Sequence, residues 1–139
     1  VKIVLDTNVV VSGLLNPFGT PAKALHLVLS REVGLLVDQR ILLEYRDVLT
    51  RGEFHFPRHD VTHLLDFFDA IGEPVMTEPL RTSMPDPDDA PFLEVARAGA
   101  ADALVTGNAR HYPAHLCGSL RVLSLAAFVR QWQQTPPRS

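Results

Sequence analysis

Short runs of consecutive apolar residues alternate along this chain with longer segments whose apolar positions recur every three or four residues. The short segments predict strands at Lys2–Leu5, Gly34–Val37, Pro74–Thr77, Ala103–Thr106 and Arg121–Leu123. Thr20-Pro21 offers an N-cap and a proline at the first helical position, so a helix is predicted over Ala22–Arg31. Asp38 caps a second helix through Thr50, with Gly52 beyond its end. A third helix runs from Asp60 to Ile71 and closes at Gly72. Asp88 is read as the cap of a fourth, with Pro91 in the first turn, where a missing N–H costs no hydrogen bond. Ser124 caps a last helix to about Gln133, leaving Thr135–Ser139 as a frayed tail. Strands that are continuously apolar are buried on both faces, which argues for a parallel sheet between helices. The expected fold is α/β, a single-domain three-layer sandwich with a central parallel sheet over residues 1–134.

Three acids sit badly in this pattern. Phe92, Leu93 and Ala96 follow Asp89 by three, four and seven residues, so Asp89 shares their buried face. A carboxylate there is costly unless a cation compensates it. Asp6 ends the first strand, and Glu44 flanks the apolar stripe of its helix. Each has an ordinary reading: Asp6 as a turn residue, Glu44 snorkelling to solvent, Asp89 as a first-turn acid favoured by the helix dipole. Asp86 and Asp88 are weaker candidates, because Asp86 is extended before Pro87 and Asp88 serves as the cap. Asp102 is read as tying down the loop before its strand.

In an open parallel sheet, ligands bind outside the carboxyl ends of the strands. Asp6-Thr7-Asn8 and Thr106-Gly107-Asn108 both fall at that edge, so acids from distant parts of the chain can converge there. Two carboxylates about 4 Å apart repel by about 4 kcal/mol at an effective dielectric near 20, so such a cluster wants cations. All-oxygen ligands favour Mg²⁺ or Mn²⁺ over Zn²⁺. The chemistry that uses such a site is phosphoryl transfer.

Composition narrows the class without naming the substrate. With 139 residues, 46% hydrophobic and 21% charged, the chain is an ordinary globular domain. A net charge of −3 gives no global attraction to nucleic acid. Yet eleven of the thirteen basic residues are Arg, whose planar fork suits phosphate. Cys117 is the only cysteine, so no intrachain disulfide forms, which suits a cytoplasmic location. No apolar run reaches the length of a membrane span. The recurrences His55, His59, His63 and His111, His115, Cys117 are interrupted by Pro57 and Pro113 and are not read as metal sites.

The ordered set Val4-Leu5-Asp6-Thr7-Asn8-Val9-Val10-Val11-Ser12, Glu44, Asp86-Pro87-Asp88-Asp89 and Leu104-Val105-Thr106-Gly107-Asn108 resembles the PIN-domain family, in particular the bacterial and archaeal toxins of the VapC type. By that resemblance Asp6, Glu44 and Asp89 match the three metal-binding, catalytic acids, and Thr7 and Thr106 match hydroxyls lining the site. Asp89 is preferred to Asp86 because Ala96 follows it by seven, as a small residue does in the family. The resemblance implies a Mg²⁺- or Mn²⁺-dependent endoribonuclease acting on single-stranded RNA, a cognate antitoxin and a homodimer. Many relatives carry a further acid where this chain has Asn108, or three residues later, where it has His111. Asn108 is then a weak, neutral metal ligand, which implies one firm metal position and a second filled only with substrate phosphate. Arg110 and His111 are expected phosphate contacts, with Arg40 and Arg46 flanking the groove. The alternative function is a catalytically impaired PIN-like module that binds RNA or protein. A phosphatase of the haloacid-dehalogenase type fits poorly, since Asn8 stands where its second Asp belongs.

Overall fold

The computed structural model describes residues 1–134; the predicted tail, residues 135–139, lies outside them. Strand β1 (Lys2–Leu5) passes at once into helix α1 (Thr7–Leu15), followed by α2 (Thr20–Leu29) and β2 (Gly34–Val37). Next come α3 (Gln39–Leu49), α4 (Arg58–Ile71), β3 (Glu73–Pro74) and α5 (Ala90–Ala98). The described chain ends with β4 (Ala103–Val105), α6 (Ala114–Cys117), β5 (Val122–Leu123) and α7 (Leu125–Gln134). All five strands are parallel, in the order β3-β2-β1-β4-β5. Successive residues Ile3, Val4 and Leu5, like Leu35 to Val37 and Ala103 to Val105, are buried, so both faces of the sheet are covered. This is the predicted α/β sandwich. β2 and β4 flank β1 on opposite sides, so the connections reverse direction there and open a crevice at the carboxyl ends of β1 and β4.

Several local signals act as read. Asp38 accepts the Ile41 N–H at 2.9 Å and Ser124 Oγ accepts that of Ala127 at 3.1 Å. Asp102 accepts the Lys2 N–H at 2.8 Å, tying the start of β1 to the turn before β4. Other boundaries differ. Gly19, not Thr20, holds the N-cap position of α2, and Arg31 lies beyond that helix with φ of 63°. α4 begins at Arg58, two residues before Asp60. β3 pairs only through Glu73 and Pro74, although the Val75 N–H still reaches the Val37 carbonyl at 3.0 Å. The cap ahead of α5 is Asp86 rather than Asp88: its carboxylate accepts the Asp88 N–H at 3.0 Å and opens a single 3₁₀ turn, Pro87–Asp89.

The chain pattern predicts no helix over Thr7–Leu15, and α1 is the main addition. Its Val9-Val10-Val11 run is β-branched and buried, so neither propensity nor periodicity marks a helix. Packing supplies the stabilisation instead. α1 crosses α2 at Gly13, where a Cβ would overlap Leu25 Cδ1 and sit 3.2 Å from the Pro21 carbonyl oxygen.

A second contact sets the spacing of the crevice. Tyr45 on α3 is fully buried between Phe68 and Phe92, with ring centroids 5.7 and 6.3 Å away. Its hydroxyl donates to the Leu5 carbonyl at 2.5 Å. Burial pushes its pKa well above the usual phenol range, so it stays a neutral donor. The bond joins the residue after Glu44 to the residue before Asp6, and so brings those two acids toward one groove.

Candidate metal centre

Asp6 stands in the turn between β1 and α1, with extended backbone, and makes no capping bond to its own helix. Its N–H donates to the Val105 carbonyl at 3.0 Å, which holds it against the end of β4. Its buried carboxylate accepts two hydroxyls on Oδ2, from Thr106 at 2.7 Å and Tyr112 at 3.0 Å. Thr106 Oγ1 in turn accepts the Asn108 N–H at 3.0 Å. Thus the loop after β4 orients the acid after β1. Gly107 N–H donates to Asn8 Oδ1 at 3.0 Å and fastens the same two loops a second time.

Glu44 is half-buried on α3 and accepts a short hydrogen bond from the Thr7 hydroxyl. Burial pushes its pKa up, and the charges of Asp6, Asp88 and Asp86 push in the same direction, against the Thr7 bond. Asp89 is 9% exposed. Its pKa rises to about 6, first through burial and then through Asp6 and Asp86, with nearby His111 opposing. His111 Nδ1 lies 3.2 Å from Asp89 Oδ2, a contact that favours the ionised acid, while that buried oxygen has no well-aligned donor among the described residues.

These side chains line one open groove of about 430 Å³, together with Asp86, Asp88 and Asn108. Among the described residues, the one group of three whose ligand atoms all lie within 4.8 Å of one another is Asp86, Asp89 and His111. Asp6 and Glu44 face the same groove outside that tightest grouping. Asp86 is therefore more central than its place before Pro87 suggested. The backbone there is extended, as expected, but the same carboxylate that caps the turn also meets Asp89 and His111.

The donor set fits a hard divalent cation. It is dominated by carboxylate oxygens, one of them buried without a donor, and neighbouring charges and burial hold two acids above their ordinary pKa. Mutual repulsion of this kind is relieved by a cation.

Other expected contacts fall elsewhere. Arg110 is exposed beside the loop but does not line the groove. Arg46 lines a separate hollow with Asp66 and Asp69 of α4, so it does not flank the site. Arg40 is taken by Asp38, by buried Glu94 at 2.6 Å and by Thr77 at 3.1 Å. Thr7, Thr106 and His111 do reach the site, each against an acid, the two threonines buried and His111 exposed. Tyr112 went unread because nothing in its spacing marks it; only the return of its loop under Asp6 brings its hydroxyl there.

The PIN-domain model matches residues 2–110, and the chain belongs to that family. Among solved structures, a chain of the VapBC2 complex of Rickettsia felis, crystallised with a DNA fragment from their promoter, shares the fold with a TM-score of 0.60. The identity is 18%, over 89% of this chain and 98% of that one. No curated protein matches.

Proposed function

We propose that this protein is a metal-dependent endoribonuclease that cleaves single-stranded RNA, and that it is the toxin of a toxin–antitoxin pair. The observation that carries the reading is the buried Asp89 carboxylate, gathered with Asp86 and His111 in a groove of acids at the switch point of a PIN-family sheet. The likeness to a chain of a VapBC complex supports an antitoxin partner. A cytoplasmic homodimer completes the reading.

In this mechanism Asp6, Glu44 and Asp89 would hold Mg²⁺ or Mn²⁺, and Asp86, Asn108 and His111 would surround a weaker second position. A cation bound there would supply charge neutralisation at the phosphate and would acidify the attacking water. Thr106 and Tyr112 fix the Asp6 carboxylate by donating to one oxygen, leaving the other free to face the groove. Thr7 does the same for Glu44. Asn108 brings a carbonyl rather than a charge, so one Mn²⁺ is expected to bind firmly without RNA. Isothermal titration giving two tight sites would overturn that stoichiometry.

The direct test incubates the purified protein with a panel of single-stranded RNAs in Mg²⁺, in Mn²⁺ and in chelator. Endonucleolytic cutting that requires the ion supports the assignment. A folded, metal-loaded protein that binds RNA without cutting would favour the impaired binding module, the reading that Asn108 keeps open. Tyr112→Phe deletes one of the two donors to Asp6 and little else. It is expected to weaken Mn²⁺ binding about 10- to 100-fold, the usual effect of removing a partner of a metal ligand. Unchanged Mn²⁺ affinity in a folded Tyr112→Phe protein would count against Asp6 as a ligand.

A further inference from the structure

The groove changes character along its length. Thr7 and Glu44, bonded to each other across it, are each followed four residues later by an apolar side chain that also lines it, Val11 on α1 and Val48 on α3. Four helical residues advance about 6 Å, so within about one turn each wall passes from the acids to an apolar side chain, with Ser12 and Arg51 as the polar groups beside them. Beyond the end of α3 the chain bends through a 3₁₀ turn, Gly52–Phe54, and Phe54 extends the apolar lining. His55 then adopts a left-handed conformation, φ 54° and ψ 28°, a geometry that side chains other than glycine seldom take. The reversal folds Phe56 back onto Phe54 in a near-parallel stack, with centroids 5.6 Å apart and planes inclined by 15°. Phe54 is thus a braced aromatic ring at the apolar end of an acidic groove. Arg51, which also lines the groove, pairs among the described residues with exposed Asp47 at 3.2 Å, a pair that a phosphate can readily displace.

We propose that Phe54 is a stacking platform for one nucleobase of a single-stranded RNA, with Arg51 on an adjoining phosphate, so that the base next to the cleaved linkage is held in the apolar half of the groove. The assignment rests on the nuclease reading and adds a base subsite to it. Apolar side chains alone would accept many ligands; an aromatic face beside a phosphate-handling site is the arrangement by which unstacked bases are held. Because every base has a π face, such a platform strengthens binding without reading sequence.

The test measures binding by fluorescence anisotropy in Mg²⁺, in the Asp89→Asn background so that RNA stays uncut. The probes are a labelled oligoadenylate and an abasic ribose-phosphate strand of the same length and charge. Phe54→Leu keeps the apolar packing and removes the π face. It is expected to weaken oligoadenylate binding about 5- to 150-fold, the span of a single base–aromatic stack, and to leave the abasic strand unaffected. Phe54→Trp is expected to retain the affinity, with the added indole quenched by oligoadenylate and not by the abasic strand. Equal losses on both strands, no loss in Phe54→Leu, or an indole indifferent to the base would overturn the platform. If neither strand binds with Phe54 intact, and the parent protein with Asp89 present in Mg²⁺ neither binds nor cuts oligoadenylate, the nuclease reading fails together with it. If oligoadenylate binds well but independently of Phe54, only the platform fails.

Discussion

The Asp89→Asn variant is expected to lose cleavage by on the order of a thousandfold or more while gaining stability in the absence of metal. The two effects share one cause. Loss of a charged ligand removes several kcal/mol of electrostatic stabilisation from the transition state. In the metal-free protein the same charge is a liability, because burial and the charges of Asp6 and Asp86 raise its pKa from 3.8 to about 6. A group whose folded pKa lies above its unfolded value binds protons more tightly in the folded state. Its ionisation costs nothing at acid pH, begins to destabilise as pH rises through the unfolded value, and costs its full amount above about pH 6. Glu44 is shifted in the same direction. Allowing for the solvent that reaches the groove, the Asp89 cost is on the order of 1–2 kcal/mol. Metal-free protein should therefore melt at a higher temperature near pH 5 than near neutrality as far as these acids decide it, roughly the window their shifts define. Asp89→Asn should flatten that dependence, and Mn²⁺ should reverse it at neutral pH in the parent protein. Cleavage should fall below about pH 6 as protons compete for the ligand. Thermal melts of both proteins at the two pH values, with and without Mn²⁺, read all of this. An Asp89→Asn protein that is less stable than the parent at neutral pH without metal would refute the strained-acid account.

Arg40→Ala should produce the largest loss of stability outside the apolar core, about 2–4 kcal/mol. Glu94 is 8% exposed on the otherwise apolar face of α5, where a lone carboxylate is expensive. Arg40 Nη1 holds its Oε1 at 2.6 Å, and the Leu80 N–H holds Oε2 at 2.9 Å. Removing the guanidinium leaves a buried charge with one donor, and breaking a buried pair typically costs about 3–5 kcal/mol. Because Arg40 is itself part-exposed, with a side-chain exposure of 45%, water recovers some of that, which sets the lower range. Adding Glu94→Gln to Arg40→Ala should recover part of the loss by removing the stranded charge. Urea denaturation of the parent, both single variants and the double variant closes the cycle. A double variant no more stable than Arg40→Ala would mean that the pair matters by packing rather than by charge. The loop that carries Leu80 continues to Asp86, so weakened Mn²⁺ binding in Arg40→Ala would connect this pair to the metal groove.

Much of the protein was readable along the chain because its fold is written in local terms. The apolar strands other than β3, the Asp38 and Ser124 caps, and the Gly72 stop all depend on neighbours a few residues away, and they appear where the pattern put them. Asp6, Glu44 and Asp89 stood out because a carboxylate conflicts with an apolar position whatever surrounds it. Other features depended on contacts between distant parts of the chain. α1 forms from a β-branched run because burial against α2 and the sheet outweighs propensity. Asp86 joins Asp89 and His111 because the turn it caps folds toward the loop after β4. Arg40 and Arg46 carry the same charge on the same helix, yet one is committed to Glu94 and the other faces α4, a difference of helix face and partner. Tyr112, Phe54 and the unpartnered Asp89 oxygen exist as functional candidates only once the strands are in register. The sequence by itself determined which apolar segments must be buried and marked Asp6, Glu44 and Asp89 as uncomfortable among them, but not buried Glu94. The tertiary structure alone decided which groups those acids meet, because hydrogen bonds and charge repulsion act over a few ångströms between residues up to 106 positions apart.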